Sequence, residues 1–181
     1  MPKGSDSITI QPTSHQPAMP AIRWRWTGPV VAVLVCVGCL TPFVNKAFTI
    51  DDPLFLWAAQ HIQHHPADPY GFEVNWYVSP MRMADVTKNP PLACYALALA
   101  ASLFGWSEHA LHLIFLLPAA GMAWGTYRLA EDLSGRPLLA TLTAVLTPVF
   151  LVSSTNVMCD TMMVCFWVWA VVCWRLSLIH I

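Results

Sequence analysis

The chain has 181 residues, of which 56% are hydrophobic and only 10% charged, with a formal net charge of −1. A soluble domain carries about 25% charged residues, so this composition excludes a disordered chain and argues against an ordinary soluble domain. The near-neutral charge gives no electrostatic case for nucleic acid, whereas nine tryptophans and fifteen prolines beside eight glycines suit membrane helices with aromatic belts and a structured loop. The expected fold is all-α: a polytopic transmembrane helix bundle.

Residues 1–22 are polar and hold Pro2, Pro12, Pro17 and Pro20, which reads as a disordered cytoplasmic tail rather than a signal peptide. Arg23 and Arg25, interleaved with Trp24 and Trp26, mark a membrane interface, and with Lys3 they place the N-terminus in the cytoplasm. A first span is expected over residues 27–44. It contains Cys36 and Cys39 at CxxC spacing, but with no βαβ context; these and the other four cysteines act as small hydrophobes.

The loop 45–109 follows and is expected outside the cytoplasm. Asp52-Pro53 reads as an N-cap followed by proline at the first helical position, opening a helix over 53–64. Leu54, Phe55, Ala58, Ala59 and Ile62 share one arc of that helix, which fits an amphipathic segment lying along the membrane surface. Pro66 and the Asp68-Pro69-Tyr70-Gly71 turn end it. The next apolar run, 91–104, is short for a span and suits an interfacial helix. If it crosses, Asp160 lies opposite Asp51; if it stays on the surface, Asp160 returns to the side of Asp51 and Arg128, Arg136 and Arg175 are all cytoplasmic. The positive-inside rule favours the second arrangement. Further spans are expected over 110–129, 137–152 and 158–174, so that 23–175 forms one membrane module. Residues 176–181 match the translation of a transposon end used in sequencing libraries, and are expected to be a cloning or sequencing scar. On that reading the natural chain continues beyond Arg175, and this piece is an N-terminal fragment inactive by itself.

The pair Asp51-Asp52 is the most informative in the chain. Asp52 suits a capping role; Asp51, one residue earlier and near the positive end of the helix dipole, is then free to accept a proton. Asp160 lies among Met158, Cys159, Met162 and Met163, either as a functional carboxylate at membrane depth or as a boundary residue capping the last helix. Lys88, with Lys46 and Arg82, supplies the cationic charge of the loop; Lys88 either snorkels to headgroups or holds a lipid phosphate. His61 and His64, at i and i+3, are the weak candidates for a metal site, with no obvious third ligand. Trp57, Trp76, Tyr70 and Tyr77 read as interfacial anchors or as sugar-stacking groups.

The order of these features carries a resemblance. Asp51-Asp52-Pro53, the His65-Pro66 helix end, Lys88-Asn89-Pro90-Pro91-Leu92, the Leu103-Phe104-Gly105-Trp106-Ser107-Glu108 boundary, Gly135-Arg136-Pro137, Thr147-Pro148-Val149-Phe150 and Asp160 follow one another as in the GT-C membrane glycosyltransferases. Over residues 26–175 the chain resembles the protein O-mannosyltransferase and lipid A aminoarabinose transferase superfamily. The resemblance implies transfer of a sugar from a polyprenyl-phosphate carrier to an acceptor on the non-cytoplasmic face, here expected to be that of a bacterial inner membrane. It makes Asp51 the general base, Asp52 its partner acid in place of the commoner glutamate, and Asp160 a second acidic site. Lys88 becomes the donor-phosphate ligand, with Asn89 and Arg82 as further substrate-binding candidates. Membrane lipids are the other expected partner, the acceptor is undefined, no cofactor is certain, and a divalent metal is left open. The competing class is a transporter or structural membrane component whose acids and histidines bind ions.

Overall fold

The computed structural model describes residues 26–49 and 51–179. The expected tail over 1–22, Arg23, Arg25 and the last two residues lie outside the described residues.

The described residues form an all-α bundle with one short hairpin. α1 (Thr27–Leu40) ends in a 3₁₀ turn, Thr41–Phe43. The polar excursion that follows contains α2 (Asp52–His64), the two-residue strands β1 (Glu73–Val74) and β2 (Met81–Arg82), α3 (Met83–Val86) and α4 (Leu92–Phe104). The bundle resumes with α5 (Glu108–Leu133), α6 (Pro137–Val145), α7 (Pro148–Ser154) and α8 (Cys159–Ile179). β1 and β2 pair antiparallel, Glu73 opposite Arg82.

α5 and α8 are long and apolar enough to cross a membrane. At 1.5 Å per residue they measure about 39 and 31 Å, against a hydrocarbon core of about 30 Å. α1 with its 3₁₀ turn is a shorter apolar segment of the same kind, Thr27–Phe43. The stretch expected as a single span over 137–152 is two helices, α6 and α7, bent by 61°. The cause is local: Pro148 lacks an amide proton and drives Thr147 out of the helical region (φ −65°, ψ 141°). Thr147 then caps α7, its hydroxyl accepting from the Phe150 amide.

Three sets of contacts fix the directions of the helices. A Cβ on Gly28 would collide with the Tyr127 hydroxyl, and the Cys36 thiol donates to the Ala119 carbonyl at 3.7 Å. Rising numbers in α1 thus meet falling numbers in α5, so the two are antiparallel. A Cβ on Gly121 would meet Cys165 Sγ at 2.9 Å, and one on Gly125 would meet Val168 at 2.8 Å. Arg175 reaches Asp132 at 3.7 Å, so α5 and α8 run parallel. Gly121-xxx-Gly125 lets α8 approach closely, and the Trp169 indole N–H donates to the Gly121 carbonyl at 2.9 Å across that seam.

The end of α1 and the start of α5 therefore lie at the same end of the bundle. α4, about 20 Å long by its 13 residues, belongs to an excursion that leaves and rejoins the bundle at that end. It packs against α2: Leu54, Phe55, Ala58, Ala59 and Ile62 form one core with Ala93, Cys94, Leu97, Ala98 and Ala101. Gln63 fastens the pair, its amide donating to the Ala98 carbonyl at 3.1 Å and to the Ser102 hydroxyl at 2.9 Å. The apolar arc that the sequence assigns to the membrane surface is thus turned onto α4. Periodicity identifies the buried face of a helix, but a protein partner and a lipid surface leave the same pattern.

Candidate functional site

The polar side chains singled out from the sequence gather mainly at the α1-exit end. The two acids at the start of α2 each sit one position further into the helix than expected. Asp51 occupies the cap position, with helical backbone (φ −93°, ψ −4°) and no side-chain bond to the helix. Asp52 is the first helical residue and is completely buried. Its carboxylate accepts the Thr49 amide at 2.9 Å and the Val157 amide at 3.0 Å. The first bond closes the turn that starts α2, and the second ties that turn to the loop ahead of α8. Asp52 is therefore a strap rather than a cap, and the half-exposed Asp51 carboxylate is left uncommitted beside it.

Burial pushes the Asp52 carboxyl above the usual carboxylate range. The Thr49 and Val157 amides, the Lys46 ammonium and the His112 ring act in the opposite direction without cancelling it. Lys46 is half-buried and donates to the Asn156 side-chain oxygen and to Thr155 Oγ1, the latter at 3.5 Å. His112, on α5, stacks on Phe48 with ring centres 5.6 Å apart and meets the Glu108 carbonyl through Nδ1 at 2.8 Å. That carbonyl can only accept, so Nδ1 carries the proton; Nε2 is buried without a protein partner. One helical turn earlier, His109 Nδ1 meets Asn45 Oδ1 at 2.9 Å. The segment leaving α1 is thus gripped on one side by α5 and on the other by residues 155–157.

Asp160 is the second residue of α8 and does not cap it. It is half-exposed and lines a cavity of about 350 Å³ between α7 and α8 together with Thr147, Ser153 and Thr161. Because Asp52 holds Val157, three residues ahead of Asp160, the first acidic pair and Asp160 lie at one end of the bundle.

The remaining candidates are more peripheral. Lys88 is exposed, donating to the Ala84 carbonyl at 2.9 Å and standing 3.9 Å from Asp85. Asn89 is exposed; its carbonyl accepts the Tyr70 hydroxyl at 2.9 Å. Arg82 is exposed on β2. His61 lies between His65 and Phe72, at ring-centre distances of 4.7 and 4.9 Å. Among the described residues no three His, Cys, Asp or Glu side chains converge to hold a metal ion, so His61 and His64 gain no third ligand.

Sequence reasoning missed the inner ring of this site. Lys46 was visible as a loop cation, and Ser153-Ser154-Thr155-Asn156 as a polar interruption between apolar stretches, but nothing in either pattern joins them across more than a hundred residues. His112 gave still less signal, being a single polar residue within an apolar stretch.

No curated protein and no solved structure matches the chain. A family model described as dolichyl-phosphate-mannose-protein mannosyltransferase matches residues 88–180, a little over half of the chain. The matched region begins at Lys88 and includes Asn89 and Asp160, while Asp51, Asp52 and Arg82 precede it. With its all-helical bundle and apolar spans, the chain is an integral membrane protein and belongs to the dolichyl-phosphate-mannose-protein mannosyltransferase family, within the GT-C glycosyltransferases.

Proposed function

We propose that the complete protein transfers a sugar from a polyprenyl-phosphate carrier to an acceptor hydroxyl, with Asp51 as general base. The observation that carries this reading is the division of labour between neighbouring acids: Asp52 is consumed in holding the fold, while Asp51 is half-exposed and makes no bond to the helix it precedes. In the proposed step the acceptor oxygen attacks the anomeric carbon while its proton passes to the Asp51 carboxylate. The anomeric carbon–oxygen bond to phosphate breaks from the opposite face, and the lipid phosphate leaves with the bonding electrons. That group already carries negative charge, so it needs a cation more than an acid. Lys88 serves as the cation, its ammonium exposed and its 3.9 Å contact with Asp85 weak enough to yield to phosphate. Asn89 and Arg82 are its neighbours in donor binding, and Asp160 is the second acid of the site.

The site end is assigned to the non-cytoplasmic face of a bacterial inner membrane. Arg128, Arg136 and Arg175 support this, since they lie at or near the far ends of α5, α6 and α8, where the positive-inside rule wants them. Asp51→Asn in the complete protein should lower transfer by about 100-fold or more while leaving membrane insertion unchanged, as expected for loss of a general base. Normal turnover in that variant would refute the assignment. The transporter reading would gain if Asp51→Asn abolished ion flux in vesicles and the unaltered protein transferred no sugar.

A further inference from the structure

A second concave site lies on the outer face of α2, apart from the acids. It is a cleft of about 530 Å³ between α2 and β1, lined by Trp57, Gln60, His61, Phe72, Glu73 and Asn75 among others. Trp57 is held at its edge by Trp76, the rings perpendicular with centres 6.1 Å apart. Phe72 is fixed by its contact with His61. Gln60, Glu73 and Asn75 are exposed around the rim. Two braced aromatic rings offer flat apolar faces, and a carboxylate with two amides offers acceptors and donors at the sides. A sugar ring needs this combination: its axial C–H groups pack on an aromatic face while its equatorial hydroxyls bond to planar polar side chains. A hydrocarbon chain would gain nothing from the carboxylate, and no lysine or arginine lines the cleft to favour an anion.

We propose that this cleft binds a saccharide and that the saccharide is the distal part of the acceptor. The acceptor role rests on the transferase reading above; saccharide binding does not. Along the α2 axis Trp57 and His61 lie five and nine residues beyond Asp52, about 8 and 14 Å from the acidic end at the helical rise. An acceptor glycan of a few units, seated on Trp57, therefore extends along α2 toward Asp51. In this arrangement the tryptophan acts as a sugar platform rather than a membrane anchor.

The test is calorimetric titration of the full chain in detergent micelles with cellobiose, α-mannobiose and chitobiose as probes. At least one should bind. Trp57→Ala and Glu73→Gln should each weaken it by tenfold or more, whereas Trp57→Phe, which keeps an aromatic face, should retain most of the affinity. Saccharide binding by the complete protein without any transfer from a polyprenyl-phosphate donor would sink the transferase reading and leave the cleft assignment standing. Transfer that depends on Asp51 but is indifferent to Trp57 and Glu73 would do the reverse. Absence of binding by all three sugars would overturn the proposal.

Discussion

Replacing Asp52 by alanine removes the two charge-assisted bonds that its carboxylate accepts, from Thr49 at 2.9 Å and from Val157 at 3.0 Å. The Val157 residue is fully buried, so its amide has no solvent to turn to. Leaving such a donor unsatisfied costs about 1–3 kcal/mol, and the Thr49 amide, which is less enclosed, adds about 1 kcal/mol. Part of this is returned, because burying the carboxylate is itself unfavourable, as its raised pKa shows. A net loss of about 2–3 kcal/mol follows, concentrated where the loop 155–157 joins α2. Hydrogen exchange reads it directly: the Val157 amide should exchange roughly 30- to 150-fold faster, since each 1.4 kcal/mol is tenfold in a local opening equilibrium. Asp52→Asn, which keeps one acceptor oxygen, should fall between the two. Amides in the middle of α5, Ala119 to Ala123, should be unaffected, because their core does not include Asp52. Unchanged exchange at Val157 in Asp52→Ala would refute the claim that this carboxylate straps the two segments together.

The strap should also respond to pH. Since the folded-state pKa of Asp52 is raised, the folded protein binds more protons than the unfolded one between the ordinary carboxylate value of about 4 and the raised value. The stability margin of the unaltered protein over Asp52→Asn should therefore shrink as pH rises through that window; thermal denaturation across a pH series checks the sign, and a growing margin would contradict it. Cysteines introduced at positions 51 and 160 in a cysteine-free background should both react with a membrane-impermeant maleimide from one side, and a cysteine at 128 only from the other. Labelling of 51 and 160 from opposite sides would break the parity deduced from α1, α5 and α8. Gly125→Ala should weaken the α5–α8 seam by about 1–3 kcal/mol, because the added methyl stands 2.8 Å from Val168 and 3.0 Å from the Trp169 indole nitrogen. Unchanged stability in detergent unfolding would show that the seam can widen freely.

The fold class was legible because composition and long apolar stretches leave few alternatives to a membrane bundle. The position of α2 was legible from its arc of Leu54, Phe55, Ala58, Ala59 and Ile62, but its partner was not, since α4 and a lipid surface demand the same arc. The break between α6 and α7 had a local signal in Thr147-Pro148, which the continuous hydrophobicity around it concealed. At the candidate site, chemistry was easier to read than geometry. Asp51, Asp52 and Asp160 stand out as carboxylates in an apolar chain, and the helix start leaves Asp51 free, yet what Asp52 is committed to depends on the Val157 amide, 105 residues away. No local rule for helix starts contains that information, and the same distance hid Lys46 and Asn156 from one another.

That separation also sets when the site comes into being. A chain emerging from the ribosome presents α1, the excursion and α5 well before residues 155–157 and α8 exist. Until then the Asp52 carboxylate lacks one of its two donors and Lys46 lacks its oxygen partners, so the start of α2 must wait in a hydrated, loosely held form. Fastening of the segment between α1 and α2 is thus a late event, coupled to the arrival of α8 beside α5. An assembly intermediate halted before that point would have its early helices in place, and the Asp51 carboxylate present but not yet aimed.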